Sequence, residues 1–266
     1  MTSHALLYYT HFVSDEVKAE IDNLARELSA DFSLFAVGCC SDASTLDGLA
    51  SDKINVRSYV RDDLRKLPYP SQLARVDWKT MRYSADLAIM RFFRGNPDFD
   101  FYWIIEHDVR FTGSWNSLIT ELSASDADLL CSYVTTHNQN PSWMHWASFL
   151  SGSETTKKED LVRAFFPVSR LSNRLMRAID GRCQDGWAGQ YEVLWTTIAR
   201  VIGGKIEEIG GVGAAVPAER RGKYYYYSMS PQGLFLSTFA AWPSYSIKSA
   251  FHKISPPNIL WHPVKE

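Results

Sequence analysis

Glu106 and Asp108 are two carboxylates separated by one residue, and they close the run Asp100-Phe101-Tyr102-Trp103-Ile104-Ile105-Glu106-His107-Asp108. The first half of that run is aromatic and β-branched, the composition of a buried strand. In an extended segment residues i and i+2 point to the same side, so Glu106 and Asp108 are expected to converge while His107 faces away. Carboxylates are seldom set into a core unless paired or bound to a cation. Two held together repel, and a divalent cation relieves that repulsion. The bland alternative is a strand end with two solvated acids, one of them paired with Arg110.

The elements around this run read as an α/β protein. Residues 5–9 form a first strand ending at Thr10-His11. A helix over 15–28 follows, with Ser14 as N-cap, Glu16 in the first turn and Val17, Ile21, Leu24 and Leu28 on one face. Residues 32–38 form a second strand with the turn-rich exit Ser41-Asp42-Ala43-Ser44. Strand, helix, strand implies a parallel sheet with a right-handed crossover. Residues 55–60 suit an edge strand. The pattern predicts a long helix from 72 or 79 to 94, stopped by Gly95-Asn96-Pro97. The acidic run comes next, then a helix over 115–122 and a strand over 128–134. The acids thus fall at the carboxyl end of a central parallel strand, where open α/β sheets bind ligands. Further on, helices are expected over 168–179 and 190–201, and strands over 205–209 and 224–227.

Bulk properties narrow the classes. The chain has 266 residues, 45% of them hydrophobic and 14% aromatic, enough for one large domain. We read it as a single domain over 1–266, with one half over 1–135 and a second half with a tail over 136–266. The net charge of -2 leaves no broad basic face, so nucleic acid is not an expected partner. Cys39, Cys40, Cys131 and Cys183 form no Cys-x-x-Cys pair and read as reduced, buried residues. There is no basic leader and no apolar run long enough to span a bilayer, so a cytoplasmic location is expected. The stretch 235–254 is aromatic with a few lysines and suits either a packed subdomain or peripheral contact with a membrane surface.

The order of elements, with the acidic triplet Glu106-His107-Asp108 ending a hydrophobic strand, resembles the nucleotide-binding half of GT-A glycosyltransferases. The resemblance covers roughly the first half of the chain, and Glu106 departs from the stricter Asp-x-Asp form. It implies a GT-A-like, Rossmann-like sheet flanked by helices, with an acceptor-side α+β half. It also implies Mn²⁺ or Mg²⁺ at Asp108 and Glu106, holding the diphosphate of a nucleotide-sugar donor for transfer to a carbohydrate or lipid-linked acceptor. Thr10, His11 and Asp42 would then face the nucleotide, and Lys79 and Arg82 would reach the diphosphate. Asp42 suits an Asx-turn equally well, and the two lysine and arginine positions suit a solvated helix face.

The ending Trp261-His262-Pro263-Val264-Lys265 is similar to the tails of GT-A-like proteins of bacteria and fungi. It implies His262 as a further metal ligand and Lys265 as a phosphate contact. The segment Gly189-Gln190-Tyr191-Glu192 resembles the acceptor-side segment that carries a catalytic base, for which Glu192 is the first candidate and Asp185 the second. Trp143, His145, Trp146 and Trp187 would line the acceptor side, since sugar faces stack on aromatic rings; core packing is the alternative for each. Arg220, Arg221 and Lys223 suit either a lid over the diphosphate or a solvated loop. Two rival functions remain. One is a sugar-phosphate nucleotidyltransferase, although Tyr9-Thr10-His11-Phe12 lacks the glycine-rich phosphate loop such enzymes carry. The other is a non-catalytic carbohydrate-binding protein.

Overall fold

The structure is a computed structural model that describes residues 2–81, 84–225 and 257–264. The chain begins β1 (His4–Tyr9), α1 (Asp15–Glu27), β2 (Phe32–Cys39), β3 (Ile54–Tyr59), α2 (Arg61–Arg65), α3 (Pro70–Leu73) and α4 (Ala85–Gly95). It continues β4 (Phe101–Glu106), β5 (Arg110–Phe111), α5 (Trp115–Ser123), β6 (Leu129–Thr136), β7 (Leu150–Ser151) and β8 (Val162–Ser172). α6 (Asn173–Gln184), β9 (Trp187–Ala188), α7 (Tyr191–Val201), β10 (Ile206–Glu208) and β11 (Leu260–Trp261) follow.

Seven strands form the central sheet in the order β10-β6-β8-β4-β1-β2-β3. β8 runs antiparallel to both its neighbours, and the other pairings are parallel. This is the expected α/β class, a mostly parallel sheet flanked by helices. β1 is buried on both faces, as a central parallel strand must be. Its alternation divides the core: Ala5, Leu7 and Tyr9 pack with α4, α6 and α7, while Leu6 and Tyr8 pack with α1 and α5. α1 starts as expected, with Ser14 Oγ accepting from Val17 N at 3.2 Å. β8 and β10 lie in the same sheet as β1 to β4. Among the described residues no helix is long and apolar enough to cross a membrane.

Two expected helices are corrected. The long helix is two, α3 and α4, with a turn-rich loop between them. Asp77 folds that loop back by accepting from Lys79 N at 3.0 Å and Thr80 Oγ1 at 3.0 Å. The helix over 168–179 starts only at Asn173, because residues up to Ser172 belong to β8. β8 carries Arg170 fully buried. Its guanidinium donates to the carbonyls of Leu122, Ser125 and Ala127 around the end of α5 and stacks on Phe101 at 4.1 Å. That partnership cannot be read locally. Of the expected strand over 224–227, Tyr224 forms one parallel bridge to Ile259, and residues 226–227 lie outside the described residues, as does 235–254.

Candidate metal centre

β4 delivers Glu106 to the carboxyl edge of the sheet, where Tyr9 of β1 is its register partner. The chain then turns. Val109 N donates to Glu106 O at 3.0 Å, closing a tight turn through His107 and Asp108. The two carboxylates converge through this turn, not through strand alternation. Arg110 is tied elsewhere: Nη1 donates to the carbonyls of His107 (2.6 Å) and Val109 (2.8 Å), and Nε stands 3.8 Å from Glu20 Oε2. The bland reading, Arg110 paired with one of the two acids, is therefore not the arrangement found.

The C-terminal tail completes the group. β11 pairs antiparallel with β5, Leu260 against Phe111 and Trp261 against Arg110. Thr112 N donates to Ile259 O at 3.0 Å, and Val264 N donates to Asp108 O at 2.8 Å. These contacts set His262 Nε2 3.3 Å from Asp108 Oδ1 and 3.4 Å from Glu106 Oε2. One ligand atom from each of the three residues lies within 4.8 Å of the others. Burial disfavours charge on His262, yet its contacts with Asp108 and Glu106 prevail and raise it to about 9. Burial likewise pushes the Asp108 carboxyl up, but His262 and His107 hold it below the usual carboxylate range.

These residues fit a divalent cation. An imidazole nitrogen and two carboxylate oxygens suit Mn²⁺, and the oxygens suit Mg²⁺. Buried Asp108 Oδ1 takes no well-formed hydrogen bond among the described residues and faces the imidazole. Without a cation, a proton on His262 offsets part of the negative charge of the two acids. With one, the imidazole would have to give that proton up.

Glu192 and Tyr191 open α7 on the same edge. Gln190 caps the helix, its Oε1 accepting from Glu192 N at 2.7 Å. Gly189 before it has φ +150° and lies against the backbone of Ser148 and Phe149, room that a side chain would lack. Tyr191 Oη donates to Glu106 Oε1 at 3.3 Å. Glu192 is 7% exposed, and burial pushes its carboxyl up to about 7 against the pull of Arg163, with Glu106 adding to the rise. Arg163, 1% exposed on β8, stands 3.7 Å from Glu192 Oε2 and 4.7 Å over the Trp143 ring. A line of contacts therefore runs from Trp143 through Arg163 to Glu192, whose charge is felt by the metal group. Sequence reasoning missed Arg163. Its only signal is an arginine inside the apolar run 161–166.

The remaining expected residues are placed as follows. Thr10 is buried beyond β1, its Oγ1 donating to Phe12 O at 2.8 Å, and its carbonyl packs against Gly38, where a Cβ would fall 1.7 Å away. The His11 ring is 5.5 Å from that of His107. Asp42 is an exposed turn-former whose carboxylate accepts from Ser44 N (3.1 Å), Ser44 Oγ (2.8 Å) and Ser41 Oγ (3.2 Å). Lys79 is exposed in the Asp77 turn and does not open a helix; Arg82 and Lys265 lie outside the described residues. Trp143 is half-buried and His145 exposed, with their rings 5.1 Å apart. Trp146 packs beside them and donates Nε1–H to Asn140 O at 2.7 Å. Trp187, 1% exposed, belongs to the main core, and Asp185 is an exposed cap ending α6. Arg220 is buried against Glu207, and Lys223 pairs with Glu121 at 2.9 Å, so neither is arranged as a lid.

A family model described as a protein of unknown function (DUF3405) matches residues 55–125. No curated protein matches the chain. Among solved structures, the chain is similar to a 4-diphosphocytidyl-2C-methyl-D-erythritol synthase from Anaerococcus prevotii, at 7% identity and a TM-score of 0.45, covering 78% of this chain and 88% of that one. An active-site mutant of LgtC aligns at 8% identity and a TM-score of 0.44 over 77% of this chain and 72% of that one. Mouse xyloside xylosyltransferase 1 aligns at 11% identity and a TM-score of 0.42 over 79% and 86%.

Proposed function

We propose that this protein is a metal-dependent glycosyltransferase that takes a nucleotide-diphosphate sugar as donor and a hydroxyl of a carbohydrate or lipid-linked molecule as acceptor. The observation that carries the reading is the convergence of Glu106, Asp108 and His262 at the carboxyl end of β4, with buried Glu192 beside them. Asp108, Glu106 and His262 would hold Mn²⁺ or Mg²⁺. Such an ion, when bound, neutralises negative charge on a departing diphosphate. Tyr191 orients Glu106 through its hydroxyl, and the β11 pairing holds His262 in place. Glu192 takes the proton of the attacking acceptor hydroxyl onto its carboxylate, for which a group titrating near neutrality is suited. Arg163 faces Glu192 and keeps its carboxylate available despite burial. Trp143 and His145 present the aromatic side on which an acceptor ring stacks. A base placed to activate the acceptor favours inversion at the anomeric carbon. We assign the donor to residues 1–135 and the acceptor to 136–266, in a cytoplasmic enzyme.

The test is thermal stability across a panel of nucleoside diphosphates, with Mn²⁺ or a chelator, on wild type and Asp108→Ala. A ligand that binds only the folded state raises the melting temperature by mass action. One nucleotide is expected to raise it, and only with both the metal and Asp108 present. A well-folded protein that no nucleotide shifts would sink the donor-site reading. Sugar binding indifferent to metal and to Asp108 would favour a non-catalytic carbohydrate-binding protein instead.

A further inference from the structure

The tail that carries His262 has only a short pairing of its own. β5 and β11 match two residues each, in a sheet separate from the central one. So short a two-stranded ribbon is marginal in water without a further strand or a packed face. Tyr224 supplies the further strand. It bridges Ile259 in parallel, and its carbonyl accepts from Leu260 N at 2.6 Å. Successive residues of the tail face opposite ways. Ile259 turns its N–H and C=O to Thr112, while Leu260 turns its N–H to Tyr224. Leu260 is two residues before His262.

Tyr224 is itself held in an unfavourable backbone. Its φ is +66°, the left-handed region in which a bulky side chain crowds the main chain. Such a conformation persists only where the surroundings over-determine it. Here α5 and β5 do so. The Tyr224 hydroxyl donates to Glu121 Oε2 on α5, and Lys223 Nζ donates to Glu121 Oε1 at 2.9 Å. The Tyr224 ring is buried and meets the Phe111 ring of β5 at 6.2 Å. Behind it, the Lys223 carbonyl packs against Gly210, where a Cβ would fall 2.3 Å away. Glu121 is on the exposed side of α5, its side chain 38% accessible, so it fills no part of the core. Its carboxylate serves these two donors.

We infer that Glu121 and Tyr224 form a latch that positions His262. Glu121 holds the Tyr224 hydroxyl, that contact keeps the Tyr224 carbonyl aimed at Leu260, and Leu260 sets the place of the imidazole two residues on. Both are positioning residues that act through β11. That the imidazole so placed binds a cation rests on the function proposed above; the latch rests on the contacts of the tail.

Mn²⁺ binding by the full chain tests this, read as affinity and as the pulsed-EPR coupling of a ligated imidazole nitrogen. His262 is the nitrogen donor of the three residues. Glu121→Leu and Tyr224→Phe should each weaken Mn²⁺ about tenfold and diminish the nitrogen coupling, as loss of a partner behind a metal ligand does. Glu121→Gln, whose carboxamide oxygen still accepts from the tyrosine hydroxyl, should restore most of both. In a His262→Ala background Glu121→Leu should weaken Mn²⁺ no further, since the two act as a unit. Full affinity and coupling in Glu121→Leu, or a further loss of the same size in that background, would overturn the inference. Amide exchange in the metal-free protein separates the latch from the metal reading. The Leu260 amide should exchange faster in Glu121→Leu and Tyr224→Phe than in wild type. If wild type binds no Mn²⁺, the metal centre fails, and faster Leu260 exchange still supports the latch. Unchanged exchange in both variants sinks the latch whether or not Mn²⁺ binds.

Discussion

The two ends of β4 each bury a histidine against aromatic rings, and their surroundings shift the two in opposite directions. At the amino end, His4 is stacked between Phe32 (4.6 Å) and Phe101 (5.5 Å), and its Nδ1 accepts from Trp103 Nε1 at 3.3 Å. Burial and nearby Arg170 hold it below its ordinary value. At the carboxyl end, His262 faces two carboxylates and is raised to about 9. The nearby arginines differ in the same sense. Arg170 at the amino end is consumed by three backbone carbonyls, whereas Arg163 at the other end faces a carboxylate. Buried charge at the amino end serves packing. At the carboxyl end it is set against other titrating groups, the pattern that functional sites share.

The sharpest way to break this contrast is Glu192→Gln. It should lower transfer about a hundredfold to ten-thousandfold, with the sugar nucleotide the stability screen selects, while leaving metal-dependent nucleotide binding intact. Unchanged turnover would make Glu192 a structural partner of Arg163, and the two ends of β4 would then be alike. Arg170→Leu probes the opposite end. Leaving three carbonyls near α5 without their donor should cost about 3 kcal/mol, read as a lower denaturation midpoint, with nucleotide affinity of the folded protein unchanged. Loss of binding with stability retained would reverse the assignment.

The smallest effects are in the pH dependence of stability, measured with chelator present. The folded value of His262 lies above its ordinary 6.5, so its contribution is complete below about 6.5 and is lost as pH rises through about 9. His262→Asn should remove that alkaline decline, of roughly 3 kcal/mol. The folded value of His4 lies below 6.5, so its contribution is present above about 6.5 and is lost as pH falls through the lower folded value. His4→Phe should flatten the acid side of the profile. Slopes of the same sign for the two histidines would refute the contrast.

Much of the fold could be read from local pattern. The βαβ start, the Ser14 cap and the hydrophobic strand before Glu106 each depend on neighbours a few residues away. β8 could not be read this way. Its Arg163, Pro167 and Arg170 interrupt an apolar run, and the groups that make two of them tolerable, Glu192 and the α5 carbonyls, come from other elements. The loop between α3 and α4 was hidden for a similar reason. Its apolar residues continue a helical pattern, which the Asp77 turn and the Met81–Ser84 turn break.

The candidate site divides along the same line. Glu106 and Asp108 were legible because their spacing and the strand before them are local, although a turn and not strand pleating makes them converge. His262 was legible by resemblance, and its approach depends on the β11–β5 pairing. Arg163 was not legible at all. A charge is recognisable as buried only once its partner is known, and its partner Glu192 comes from a separate element. By itself, the sequence determined the strand–helix–strand start, the Ser14 cap and the acidic strand end, because these follow from periodicity and short-range capping. Tertiary structure decided which charges face one another, because burial and pairing are set by elements distant along the chain.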